Sequence, residues 1–359
     1  MKRLVVGGGV HPGPVSVVDW VARRGKSMLV PLLASAFLAV GSGATSADDL
    51  SALKSQFKRP TEIPFPASNP YTLEKAALGK ALFFDTRLSG AENINCASCH
   101  NPSFGWEVAS ETAVGAANVR LARQAPTVLD VAWRQPFFWD GRAATAEEQA
   151  KGPIQAAMEM NLPLEEAVKR LDAIPGYKAW FDTVFPDQGV TPDTIVAAIA
   201  TFERTVVASY APFDAWVDGD ENAISASAKR GFELFTGKAL CSGCHTGWEF
   251  TDNQFHDIGT TTTDIGRAKI EPDNPMALYA FKTPPLRDTA QRAPYMHSGK
   301  FATLRDVLEH YVGGGIDRPS RSPLMQQIAL EQNDVDDLIA FLNSLTGEKQ
   351  VVTMPVLPN

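Results

Sequence analysis

Two five-residue stretches constrain this chain more than anything else in it: Cys96-Ala97-Ser98-Cys99-His100 and Cys241-Ser242-Gly243-Cys244-His245. Together they hold all four cysteines. A single C-x-x-C is open to disulfide, zinc or haem. Two copies, each with His directly after the second Cys, point to covalently attached c-type haem. Two thioethers fix one edge of the macrocycle, and the adjacent imidazole reaches the iron beneath it. Cys96, Cys99, Cys241 and Cys244 are then the attachment points of two haems, and His100 and His245 their proximal iron ligands. The motifs lie 145 residues apart in a chain of 359, which suggests one haem per domain.

Residues 1–47 read as a cleaved export signal. Arg23, Arg24 and Lys26 precede an apolar run from Met28 to Val40, and small residues follow as far as Ala47. The run is short for a bilayer span, so the expected mature protein is periplasmic and has no membrane span. An N-terminal haem domain is expected over 48–210, a second over 211–346 beginning near Pro212, and a tail over 347–359. Removing the leader leaves 28 basic and 40 acidic side chains, a net charge of about −12. Such a surface excludes nucleic acid and anionic membrane as natural partners and suits a basic patch on another protein.

The fold class expected is mainly α, with two helical domains, each enclosing one covalently attached haem. Thr191-Pro192 opens a helix whose Ile195, Ile199, Phe202 and Val206 share a face. Thr303-x-x-Asp306 is a capping box for a helix carrying Leu304, Val307, Leu308 and Tyr311, with Gly313 as its stop. A third helix carries Leu338, Phe341, Leu342 and Leu345. No internal repeat is evident beyond the two haem motifs.

An electron carrier needs both axial positions of each iron filled, whereas peroxide chemistry needs an open one. None of the six histidines falls between His100 and His245, so the first haem has no distal His from its own domain. Met158 and Met160 remain as alternative ligands, and an open site is the favoured reading. In the same domain Trp139 is followed ten residues later by Gln149 and twenty later by Glu159. A carboxylate in an apolar pocket can take a proton from one peroxide oxygen and return it to the other. Gln149 can hold the peroxide or a water, and Trp139 can pass an electron between haems.

Six stretches make the chain recognisable: "LGKALFFDTRLSG", "NCASCHNPSFGW", "RQAPTVLDVAW", "FWDGRAATAEEQAKGPI…EM", "GFELFTGKALCSGCH" and "APYMHSGKFATLRDVLEHYVGGG". In this order and spacing they resemble the bacterial di-haem cytochrome c peroxidase and MauG superfamily. The resemblance implies two cytochrome c-like domains, a peroxide-reacting haem on His100 and an electron-storing haem on His245. Trp139 would lie between the haems, and Gln149 and Glu159 would face the first.

Two departures within that superfamily favour the MauG branch. Peroxidases that require reductive activation carry a distal His about sixteen residues after the first motif, where this chain has Ala116. Their Met ligand of the second haem is replaced here by Tyr311, with Met296 as the rival ligand. Against a strict MauG assignment, Ala239 stands where that branch has a tryptophan two residues before the second motif. The superfamily also holds calcium between its domains, which implies one calcium ion on the Gln124 side chain and the carbonyls of Arg292 and Pro294. His256 and His297 are expected to be hydrogen-bonded residues near the second haem.

The function expected is a periplasmic di-haem peroxidase that uses hydrogen peroxide to oxidise a protein partner through a high-valent state shared by two haems. The partner would be a quinoprotein precursor in tryptophylquinone maturation for methylamine utilisation, or a small cytochrome c or cupredoxin. The alternatives are a peroxide-scavenging cytochrome c peroxidase and a non-enzymatic di-haem electron carrier.

Overall fold

The computed structural model describes residues 47–359, so the expected export signal lies outside the described residues. Helices dominate, and among the described residues the one sheet is a two-stranded antiparallel ribbon of β1 (Phe255–His256) and β2 (Phe281–Lys282). In chain order the helices are α1 (Ala47–Ser55), α2 (Leu73–Phe83), α3 (Cys96–Cys99), α4 (Ala146–Gln155), α5 (Leu164–Asp172) and α6 (Pro175–Val184). They continue with α7 (Pro192–Arg204), α8 (Pro212–Val217), α9 (Ala226–Thr236), α10 (Leu304–Gly313) and α11 (Gln332–Ser344). Among the described residues, no helix is long and apolar enough to cross a membrane.

Local chemistry sets the ends of the main helices. Thr191 caps α7 and Thr303 caps α10, each through a reciprocal capping box. The stop of α10 is Gly314 at φ 75°, one residue beyond the expected Gly313, because the left-handed turn falls on the second glycine of the run.

Two hydrophobic cores lie within the described residues. The first runs from Leu78 to Ala208 and draws in Val352 and Leu357 from the end of the chain. The second runs from Phe213 to Leu345 and draws in Phe57 from near the start, stacked on Phe250 with ring centroids 4.9 Å apart. The two ends of the described residues therefore cross, each packing on the core more distant from it in sequence.

Each core is organised by a helix pair that meets at a glycine. A Cβ on Gly79 of α2 would lie 1.9 Å from the carbonyl oxygen of Ala198 in α7, and one on Gly231 of α9 would lie 2.0 Å from that of Asp337 in α11. Only glycine permits these approaches, since the obstacle is backbone. Gly79→Ala is expected to destabilise the protein by about 1–3 kcal/mol or more. A thermal melt unchanged by the substitution would refute the close crossing.

The halves share more than their haem motifs and helix pairs. Arg134-Gln135-Pro136-Phe137-Phe138-Trp139-Asp140-Gly141-Arg142 and Arg292-Ala293-Pro294-Tyr295-Met296-His297-Ser298-Gly299-Lys300 follow the same course 158 residues apart. Both have a cis proline and positive φ at the fifth and eighth residues, and both close with a matching β-bridge, Phe137 to Ala143 and Tyr295 to Phe301. Three residues after each stretch comes the N-cap threonine of a helix, Thr145 for α4 and Thr303 for α10. The repeat that the sequence hides is thus plain in the backbone.

Candidate haem and peroxide site

The first motif begins at the N-terminus of α3, where Asn95 caps the helix and receives the Ser98 amide at 3.0 Å. His100 follows as the residue that ends it, and its Nδ1 lies 3.3 Å from the carbonyl oxygen of Trp106. At the second motif, His245 Nδ1 lies 2.8 Å from the carbonyl oxygen of Phe250. A carbonyl only accepts, so the proton belongs on Nδ1 and Nε2 is left bare to ligate iron. Burial also holds both imidazoles neutral, with that of His100 brought down to about 4. The four cysteines are free of disulfides.

A cavity of about 660 Å³ opens beside the first motif, lined by Cys96, Cys99, His100, Trp139, Gln149 and Glu159. A second cavity of about 170 Å³ is lined by Cys241, Cys244, His245, Trp139, Met296 and Tyr311. The residues fit two c-type haems: each cavity brings a Cys pair, an oriented His and apolar walls together. On the first cavity Arg142 and Lys269, the more exposed of its cations, can meet the carboxylates such a cofactor carries, whereas Arg123 is paired with Asp140 and Asp264 and, on the second cavity, Arg292 with Glu107.

Trp139 lies in the wall of both cavities. It is 9% exposed, and its indole Nε1 donates to the carbonyl oxygen of Gln124 at 2.8 Å. Gln149 comes from α4, which holds Pro153 in its interior, and Glu159 from the turn that follows it, where Glu159 N donates to Ala156 O at 2.9 Å. Burial raises the Glu159 carboxyl above its ordinary value, against the pull of Arg142. The backbone N–H of Ala116 is tied to the Glu159 carbonyl at 2.8 Å, and Ala116 offers no imidazole there. Of the two methionines, Met160 is packed in the first core and Met158 is 56% exposed.

Both rival ligands of the second iron, Tyr311 and Met296, reach the second cavity. Burial raises the Tyr311 phenol, and a cation beside it is what would favour the phenolate. The backbone repeat makes the contrast between halves explicit: 158 residues before Tyr311 stands Pro153, and 158 before Val307 stands Gln149. The helix beside the first cavity thus offers proline and glutamine where the other offers tyrosine and valine. His256 Nε2 pairs with Asp252 at 2.7 Å, and His297 stacks on Phe281 with centroids 3.6 Å apart. Both line the second cavity. Ala239 is 2% exposed, which buries the position where the MauG branch has its tryptophan.

The calcium expectation does not fit the residues as placed. Gln124 Nε2 donates directly to the Pro294 carbonyl at 2.5 Å, so the donor end of the amide meets the oxygen a cation would need. A hydrogen bond therefore bridges the halves at this point, and no step is assigned to calcium. Treatment with a calcium-selective chelator is expected to leave both haem spectra unchanged; loss on chelation, restored by calcium, would put the ion back at Gln124.

Comparison with known proteins decides the family. Residues 73–222 match the di-haem cytochrome c peroxidase model, and residues 228–346 match the cytochrome c model. The chain is 50% identical over 316 residues to the methylamine utilization protein MauG of Methylorubrum extorquens, covering 87% of this chain and 90% of that protein. This chain belongs to the di-haem cytochrome c peroxidase family. Its MauG-type character is reinforced by 47% identity to the MauG protein of Methylophilus methylotrophus, over 85% of this chain and 92% of that one. Among solved structures, a MauG-like protein associated with microbial copper homeostasis superposes with a TM-score of 0.75 at 30% identity, covering 81% of this chain and 95% of that one. The chain is thus a MauG-like di-haem peroxidase, an oxidoreductase built from two haem-binding helical halves.

Proposed function

We propose that this di-haem peroxidase works in the periplasm and uses hydrogen peroxide to oxidise a protein partner, the precursor of a tryptophylquinone-bearing quinoprotein in methylamine utilisation. The observation that carries the reading is the contrast between the two halves. Gln149 and Glu159 face the first cavity, and Tyr311 faces the second at the place equivalent to Pro153. The names of two similar proteins, both methylamine utilization proteins, support the choice of pathway.

When bound, the haems supply an iron that takes peroxide and a second site that shares the oxidising equivalents. The protein's own part is proton handling and positioning. Gln149 orients peroxide through its amide. A Glu159 carboxylate oxygen accepts one peroxide proton and returns it to the departing oxygen, which leaves as water. Trp139, held by its bond to Gln124, is the aromatic wall common to both cavities and the route for an electron between them.

The ferric protein as isolated is expected to contain one five-coordinate high-spin haem and one low-spin haem, and peroxide alone should change the spectra of both. If both haems are low-spin, the electron-carrier reading stands. If peroxide reacts only after one-electron reduction, the scavenging peroxidase reading stands, with a small cytochrome c or cupredoxin as donor. Buried Ala239, where the MauG branch has a tryptophan, is the one observation favouring that second reading. Mixing the protein with peroxide and a quinoprotein precursor, and following the quinone absorbance, tests the partner directly.

A further inference from the structure

The glycine crossings give a residue-by-residue alignment of the two haem pockets. Gly79 meets the Ala198 carbonyl and Phe202 Cβ; Gly231 meets the Asp337 carbonyl and Phe341 Cβ. One residue beyond each phenylalanine stand Glu203 in α7 and Leu342 in α11. Each lines the cavity of its own half, as do Ile199 and Leu338 four residues earlier. The peroxide half therefore carries a carboxyl where the storage half carries a leucine. It is the same direction of difference as Gln149 against Val307.

Glu203 is 8% exposed, and among the described residues its carboxyl has no hydrogen-bond or ion-pair partner. Its sequence neighbour Arg204 is committed to Glu147 of α4 through two bonds of 2.6 and 2.9 Å. Lys75 of α2 is held by Asn69 and the Pro70 carbonyl, and its charge faces Glu147. From α3 the nearest titratable atom is the sulfur of Cys96, which is neutral once it forms a thioether. Glu159 and Arg142 lie elsewhere on the wall of the same cavity. Burial, with help from Glu147 and against Arg204, pushes Glu203 up to about 8. Nothing in the core needs a carboxyl at this position, since the other half is completed by a leucine.

We propose that Glu203 is a proton-exchanging residue of the first haem pocket: it gives up its proton when the haem on Cys96 and Cys99 loses an electron, and takes one back when the electron returns. The physical basis is charge. Oxidation adds one positive charge beside the buried carboxyl and favours its ionised form; by linkage, ionisation of the carboxyl favours the oxidised haem. The exchange balances as one proton and one electron bound together in the reduced state and both released in the oxidised state. Hydrogen peroxide is the oxidant in the enzyme's own reaction, and each molecule takes two electrons and two protons to become two waters. With Leu342 in the equivalent place, the storage half has no carboxyl at this position; the titratable groups on its cavity include Lys282, His256, Glu107, His297 and Tyr311.

The inference rests on haem attachment at the first motif but not on the identity of the protein partner. The test is a spectroelectrochemical titration of both haems from pH 6 to 10 in the full-length holoprotein. The first-haem potential is expected to fall as pH rises, approaching one proton per electron around pH 8, with a slope that depends on Glu203; the second-haem profile should be unaffected by substitution of Glu203. Glu203→Gln and Glu203→Leu should flatten the first-haem profile, and Glu203→Asp should preserve a slope. A slope retained in Glu203→Gln, or no slope in the unaltered protein, would overturn the proposal. Redox-difference infrared spectra of the unaltered protein give a second readout that needs no variant: a protonated-carboxyl carbonyl band should be lost on oxidation, and its absence would also overturn it. Failure of peroxide to react at all, with the slope intact, would instead count against the proposed function.

Discussion

Glu159→Gln is expected to slow the reaction with peroxide by about 10²–10⁴-fold, the usual size of an acid–base contribution. The amide keeps the volume and the polar contact but cannot take a proton, so binding of peroxide should change far less than its cleavage. The pH profile sharpens the expectation. Burial raises the Glu159 carboxyl above its solution value, and the working form is the carboxylate. The rate in the unaltered protein should therefore climb with pH through that raised value and level off above it. In Glu159→Gln this limb should vanish. Stopped-flow mixing with peroxide across the pH range reads both effects; a variant as fast as the parent would remove Glu159 from the mechanism.

Tyr311→Phe carries the second large effect. It removes only an oxygen, from a half-buried side chain that shares a cavity with the Cys241–Cys244 motif. The second haem is expected to lose its sixth ligand and turn high-spin, while the first keeps its spectrum. Its potential should rise, because a neutral or absent ligand stabilises oxidised iron less than a phenolate does. Oxidation of a protein partner should then be lost even though peroxide still reacts at the first haem. An unchanged second-haem spectrum would assign the ligand to Met296, and Met296→Leu would then show the change instead.

How much of this was legible in the sequence depends on how local the signal is. The haem motifs and the Thr303 capping box depend on neighbours within five residues, so spacing alone reveals them. Gln149, Glu159 and Trp139 are separated by fixed intervals, but only the resemblance gave those intervals meaning. The backbone repeat is not legible in the sequence because few identities survive between the halves: an arginine, a proline, a glycine and an Ala-Thr pair before each helix. What the repeat preserves is backbone conformation, such as the positive φ of Phe138 and Met296, and unlike side chains satisfy it equally. Glu203 was hidden for another reason. In "TFERTVV" it reads as one of two adjacent charged residues at the end of an amphipathic helix, and only the crossing at Gly79 shows that it faces inward. Gln124 was expected as a calcium ligand only through the resemblance; as placed, its amide donates to the Pro294 carbonyl.

The crossed ends of the chain have a consequence for how the protein is made and how it can be cut. The first core needs Val352 and Leu357, and Arg87 donates to the carbonyl of Pro358 at 3.0 Å. That half is therefore incomplete until the last residues have been synthesised, although its haem motif emerges early. Cleavage near residue 210 would not free two self-sufficient halves, since each would leave part of its packing on the other fragment. Trimming only the final eight residues should loosen the half that begins the chain, not the one that ends it.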